Sequence, residues 1–184
     1  AVTDACGNTI NVTHLLLITD PFPPTASNPA PINVECIGDV PAPDVTVVTD
    51  EADNQGVPVV AWVSDLSDGL TCPETITRTY SVTDICGNAI TVQQLIYIED
   101  ITPPVLFLPL AAVTVQCVGD VPTMTDLNWT DNCDGAGTVA GVDGPLVGGA
   151  CGGTITRTWT YTDNCGNTAS QTQIITINDG IAPS

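Results

Sequence analysis

A Thr-Asp-x-Cys-Gly-Asn sextet occurs three times, as TDACGN (3–8), TDICGN (83–88) and TDNCGN (162–167), spaced about 80 residues apart. Other phrases keep the same register. VECIGDVP (34–41) returns as VQCVGDVP (115–122), and TCPETITRTY (71–80) as ACGGTITRTW (150–159). ITDPFPP (18–24) returns as IEDITPP (98–104) and INDGIAP (177–183). Self-similarity at one period marks modular architecture, and this period is too long for a solenoid turn; it suits a small domain with its own core. The register divides the chain into four parts. Residues 1–20 are the closing hairpin and last strand of a preceding or donated module, 21–100 one module, 101–180 a second, and 181–184 the start of another linker.

Within each module the pattern is that of strands. TITRTYSVTD (75–84) places Ile76, Arg78, Tyr80 and Val82 on one face and Thr75, Thr77, Thr79, Ser81 and Thr83 on the other. Strict alternation rich in Thr and aromatics is a strand with one buried face. TITRTWTYTD (154–163) repeats it with Ile155, Arg157, Trp159 and Tyr161. A second strand follows each sextet, AITVQQLIYI (89–98) and TASQTQIITI (168–177), so the sextet is a hairpin turn whose Gly supplies a positive φ. Earlier segments read as further strands: PINVEC (31–36), VTVVTD (45–50) and VPVVAWV (57–63), matched by AVTVQC (112–117), LNWTD (127–131) and TVAGV (138–142). No useful stretch has a helical period. The expected fold class is all-β: tandem immunoglobulin-like antiparallel β-sandwich modules of about 80 residues.

DITPPV (100–105), TDNCDG (130–135), TYSVTDICGN (79–88) and the closing IED and IND resemble the hyalin-repeat (HYR) module. The likeness is strongest to the Cys-rich HYR-like repeats of very large bacterial surface proteins, including adhesins of Bacteroidota, and covers essentially the whole chain. It implies an extracellular Ig-like stalk or adhesive module without catalysis. The familiar pattern often has a Cys in the last strand; that strand has none here, so the family's disulfide pairing does not carry over.

Composition excludes several classes. The formal net charge is −19, with Arg78 and Arg157 the only Lys or Arg residues, which argues against nucleic acid and anionic membranes. LLLI (15–18) is far too short to span a bilayer. Eight Cys at recurring positions fit an oxidising, extracellular or cell-surface setting, and no CxxC pair suggests zinc. With His14 the only His and no Lys, nucleophile–base chemistry cannot recur per module, so no enzyme is expected. Without Lys there are also no Lys–Asn cross-links.

Strand direction predicts the disulfides. In an Ig-like sandwich Cys117 and Cys151 fall at the bottom of the second module, and Cys133 and Cys165 at the top. The expected bridges are Cys117–Cys151 and Cys133–Cys165, because bridged Cα atoms lie about 4.4–6.8 Å apart. In the first module Cys36–Cys72 is the equivalent bridge. Ala52 stands where Cys133 does, which leaves Cys86 as a buried free thiol, a cross-link to another chain or module, or half of another internal pair. Cys6 belongs to a module whose remainder is absent.

The same tops collect acids. Asp50, Glu51, Asp53 and Asp84 are joined by linker Asp20; Asp131, Asp134 and Asp163 are joined by Glu99 and Asp100. Calcium takes six to eight oxygens, and Asn132 and Asn164 could add to the set, so calcium at the joints is one expectation. The other is that these are turn residues bonded to nearby backbone. Arg78 and Arg157 are expected as paired cations beside aromatic rings, and Trp62, Trp129 and Trp159 as core. Asn11 and Asn128 head Asn-x-Thr sequons and are candidate glycosylation sites. The functional expectation is a structural repeat of an extracellular filament or adhesin stalk, stiffened by disulfides, Pro-rich joints and calcium. Its partners would be neighbouring copies or modules of the same protein. Two alternatives stand beside it: an adhesive module binding surface glycans or protein, and a fibre subunit donating residues 9–18 as a strand.

Overall fold

The computed structural model describes residues 1–15, 19–107, 111–149 and 152–181. Cys151, residues 16–18 of the expected donor strand and residues 182–184 lie outside the described residues. The described residues are all β apart from three short 3-10 turns. Its strands are β1 (Val2–Thr3), β2 (Thr9–Ile10), β3 (Ile32–Val34), β4 (Val59–Ser67), β5 (Glu74–Thr83), β6 (Ala89–Ile98), β7 (Val105–Leu106), β8 (Val113–Val115), β9 (Leu127–Asp131), β10 (Gly135–Val139), β11 (Val142–Asp143), β12 (Val147–Gly149), β13 (Gly152–Thr162) and β14 (Thr168–Asn178). The arrangement is that of tandem Ig-like sandwiches.

The chain forms two compact units, whose borders fall inside the first repeat. The first unit comprises residues 1–29, 44–63 and 79–93. Its core is Val48, Tyr80, Val82 and Val92, with Ala26, Val47, Val60 and Ile90 against it. The second unit comprises residues 30–43, 64–78 and 94–184, and so contains the base of the first repeat and the whole second repeat. At that base Ile76, Ile96 and Ile98 pack with Ile32, Val34 and Val40.

The second repeat is a sandwich of a three-stranded sheet, β10-β9-β7, and a larger sheet in the order β11-β13-β14-β8, with β12 also on β13. The alternation in β13 gives the core: Ile155, Arg157 and Trp159 are buried while their neighbours face outward. Trp159 packs with Leu106, Leu127 and Trp129 from the facing sheet, and its indole N–H donates to Thr125 O at 2.9 Å. Below it, Ile155, Ile175 and Ile177 pack with Val115, Val121 and Leu146. Trp129 stacks on Tyr161 at 3.8 Å between ring centroids.

Both arginines are buried at 2 % exposure and neutralised in the same way. Arg157 binds both oxygens of Asp143, at 2.6 and 2.8 Å, and donates to Pro122 O at 3.0 Å. Arg78 grips Asp65 at 2.9 and 2.8 Å. A planar guanidinium in a bidentate pair is the form in which a cation tolerates a core position.

Three expectations require correction. VTVVTD is not a strand: Val45–Val47 is a 3-10 turn, because the Asp44 carboxylate accepts from Thr46 N and starts a turn instead. Trp62 is not core but about half exposed, since β4 is the edge of the sheet β3-β6-β5-β4. Nor are the sheets wholly antiparallel. Strand β3 runs parallel to β6, and β8 parallel to β14.

Candidate functional site

The recurring sextet explains its own Asp. Asp84 Oδ1 accepts from Cys86 N and Asn88 N, both at 2.8 Å, and Oδ2 accepts from Asn88 Nδ2 at 2.7 Å. Asp163 Oδ1 accepts from Cys165 N at 2.9 Å and Asn167 N at 2.8 Å. Gly87 and Gly166 turn the chain at φ 92° and 93°. A carboxylate collecting several N–H donors is a charged turn hub. Burial raises the Asp84 pKa, but the Asn88 side chain and the main-chain N–H groups outweigh it and hold the carboxyl below its ordinary value. The Asn completes the device by reaching the incoming linker. Asn88 Nδ2 donates to Asp20 O at 3.0 Å, and Asn167 Nδ2 to Asp100 O at 2.9 Å.

The Cys serves something else. Two disulfides join the base of the first repeat to the top of the second, all inside the second unit: Cys36–Cys133 and Cys72–Cys165, each with Cα atoms 5.2 Å apart. The expected intra-module bridges Cys36–Cys72 and Cys133–Cys165 are therefore wrong. The reasoning from strand direction identified which cysteines share an end, but two ends meet at a joint, and partners across it are within bridging reach. Cys117 is a free, exposed thiol, and its expected partner Cys151 lies outside the described residues. Cys86 and Cys6 are free and exposed as well, which removes the reading of Cys86 as a buried thiol.

Polar contacts cross the same joint. Asn132 Nδ2 donates to Glu35 Oε2 at 2.9 Å and to Asp100 Oδ1 at 3.3 Å, and Thr102 Oγ1 donates to Glu35 Oε2 at 2.6 Å. Within the top of the second repeat, Asp134 accepts from Asn164 N and Nδ2, both at 2.9 Å. A cavity of about 430 Å³ is lined by both disulfides together with Glu35, Glu74, Asp100 and Asp134. Glu35 was missed as a joint residue; its signal lay in VECIGDVP, where an acid sits beside a repeated Cys.

The acids divide into groups. In the first unit Asp20, Asp53 and Asp84 have carboxylate oxygens within 4.8 Å of one another, whereas Asp50 instead accepts from Ser27 N. In the second unit Asp100 and Asp131 come together beside Cys133, whose sulfur is already bridged. Glu99 is exposed and outside that group. Oδ2 of Asp131 and Oδ2 of Asp163 are buried with no hydrogen-bond partner among the described residues. The Tyr161 hydroxyl registers this negative environment: burial first, then the charges of Asp134, Asp131 and Asp163, push its pKa up. Asn11 and Asn128 are both exposed.

The geometry defines a class: tandem Ig-like modules clamped to each other by disulfides across the joint. The family model of the HYR-like domain with 4 cysteines matches residues 24–98 and again residues 109–177. The chain belongs to this family. No curated protein matches it.

Proposed function

We propose that this chain is a structural stretch of an extracellular, cell-surface filament or adhesin stalk, and that its work is mechanical. The observation that carries the reading is the pair of disulfides spanning one joint. A single bridge leaves a hinge about its own axis; two bridges at separate points of the interface resist bending and twisting together. Neighbouring copies or modules of the same protein are its partners, and it is assigned no catalysis. Small-angle scattering of the native protein before and after a phosphine reductant tests this. A distance distribution that broadens on reduction, with far-UV circular dichroism unchanged, supports it. An unchanged distribution after complete reduction overturns it.

Calcium at the joints is a second reading, favoured by the buried, unpartnered oxygens of Asp131 and Asp163. Carboxylate oxygens without donors are what a hard cation satisfies. At the first top, Asp20, Asp53 and Asp84 supply three carboxylates. The Asn54 amide beside them has two useful orientations. Its nitrogen can donate to Asp20 Oδ2 at 3.0 Å, or its oxygen can face inward and join the carboxylates around a cation. Isothermal titration of the chelated protein with Ca²⁺ decides it; absence of heat at millimolar Ca²⁺ removes the ion from the account.

A further inference from the structure

The two repeats fill the same part of the sandwich differently. In the second repeat Trp129 of β9 has Gly137 of β10 as its ladder partner. The indole covers that glycine so closely that a Cβ there would meet Trp129 Cζ2 at 2.8 Å. Tyr161 stacks on the same ring. By repeat register Val48 stands in place of Trp129, Val82 in place of Tyr161 and Gly56 in place of Gly137. The glycine is kept but the ring is not: a Cβ at Gly56 would meet nothing within 4 Å. The strand pairing is lost as well. Val45–Val47 forms a 3-10 turn, and Pro58, at the position of the ladder residue Val139, has no N–H to give. Between these two segments, both in the first unit, lies a cavity of about 440 Å³ that opens to solvent. Val45, Val48, Pro58 and Val60 wall it, together with Thr49 and Glu51. Glu51 Oε2 is buried and has no hydrogen-bond partner among the described residues.

We propose that this cavity binds a planar aromatic group of indole size carrying an N–H donor, which takes the place that Trp129 fills in the second repeat. Three features select that class. The walls are largely aliphatic, so the body of the ligand is apolar. The buried carboxylate oxygen of Glu51 accepts hydrogen bonds and receives none, so the ligand brings the donor. The position is one that an indole occupies in the sister repeat, so a flat ring suits it. A metal ion does not meet the same demand. Calcium takes six to eight oxygens, and this wall offers one carboxylate among valines, a proline and threonines. Binding is confined to the first repeat, because in the second Trp129 and Tyr161 already hold the position. The site adds recognition to a module whose role above is mechanical. It is independent of both disulfides, which lie in the second unit.

The test is titration of the whole isotope-labelled chain with indole, followed by NMR. The expected result is saturable shifts at the amides of Val45, Val48, Thr49, Glu51 and Val60, with a dissociation constant on the order of 1 mM. N-methylindole has the ring without the donor and should bind about tenfold more weakly. Glu51→Leu should bring the two probes within about twofold of each other. Val48→Trp, which restores the residue of the second repeat, should abolish the shifts; if circular dichroism shows that variant unfolded, the Glu51→Leu comparison decides. The peptide glycyl-tryptophyl-glycine distinguishes the sources of the ring. Binding as tight as that of indole assigns the site to a Trp side chain of a partner protein, and binding about tenfold weaker assigns it to a free aromatic molecule. Absence of shifts at these residues at about 10 mM indole, or equal affinity for indole and N-methylindole in the unaltered chain, overturns the proposal.

Discussion

The tops of the two repeats share a turn and differ in what is attached to it. Asp84 and Asp163 gather the same main-chain donors at distances within 0.1 Å of each other, 2.8 against 2.9 Å and 2.8 against 2.8 Å. One turn is disulfide-bonded and the other is not. The turn therefore does not need the bridge. The Asp builds the local structure, the Asn fastens the incoming linker, and the Cys is placed for a neighbouring module. Two residues that repeat together in sequence belong to two different levels of organisation.

That comparison can be broken at several points. The largest effect is expected from Cys36→Ser combined with Cys72→Ser. The bridges close sequence separations of 97 and 93 residues. The chain-entropy model assigns about 4–5 kcal/mol to one such loop, with the second adding less because the loops overlap. Guanidinium unfolding should show that loss in the double variant, and less than about 0.5 kcal/mol for Cys86→Ser, whose thiol is exposed. Next comes Arg157→Met. It leaves Asp143 without its cation, at a cost of about 2–4 kcal/mol after allowance for the partial exposure of Asp143. Thermal unfolding measures it, and Asp143→Asn should lose a similar amount.

Asn132→Leu removes the donor shared by Glu35 and Asp100 and should cost about 1–3 kcal/mol with both disulfides still formed. If its cost vanishes, the joint is held by sulfur alone. The acid limb of stability is a subtler probe. Asp84 and Asp143 both have lowered pKa values, the first through Asn88 and turn N–H groups overcoming burial, the second chiefly through Arg157. A carboxyl depressed in the folded state stabilises above its unfolded pKa, and that contribution is lost as pH falls through the folded value. Melting temperature should therefore decline below about pH 4, and Asp84→Asn should flatten part of that decline. The smallest expected change is a rise of a few degrees in melting temperature on adding Ca²⁺, reversed by EDTA.

Much of the fold was legible because β5, β6, β13 and β14 alternate without interruption. Their buried faces, Ile76 to Val82 and Ile155 to Trp159, are those the period dictates. The hairpin turn was legible because its Gly and Asp have few other uses. The three-residue strands β3 and β8 gave no directional information, so their parallel pairing was not. The apolar run in β4 suggested core, yet Trp62 and Leu66 are exposed because hydrophobicity does not distinguish an edge strand from an inner one. The disulfides failed for a related reason. Spacing within a repeat locates a cysteine at one end of a sandwich, but only three-dimensional adjacency says which module meets it there.

The two arginines have a consequence beyond their own sandwiches. Both guanidinium groups are withdrawn from water into ion pairs. The solvent-facing surface then carries acidic side chains opposed by no Lys or Arg, in a chain of net charge −19. In the proposed filament, chains lying side by side would behave as like-charged polyelectrolytes. Their lateral spacing follows the Debye length, about 8 Å at physiological ionic strength, and collapses into bundles only when multivalent cations or concentrated salt neutralise the carboxylates.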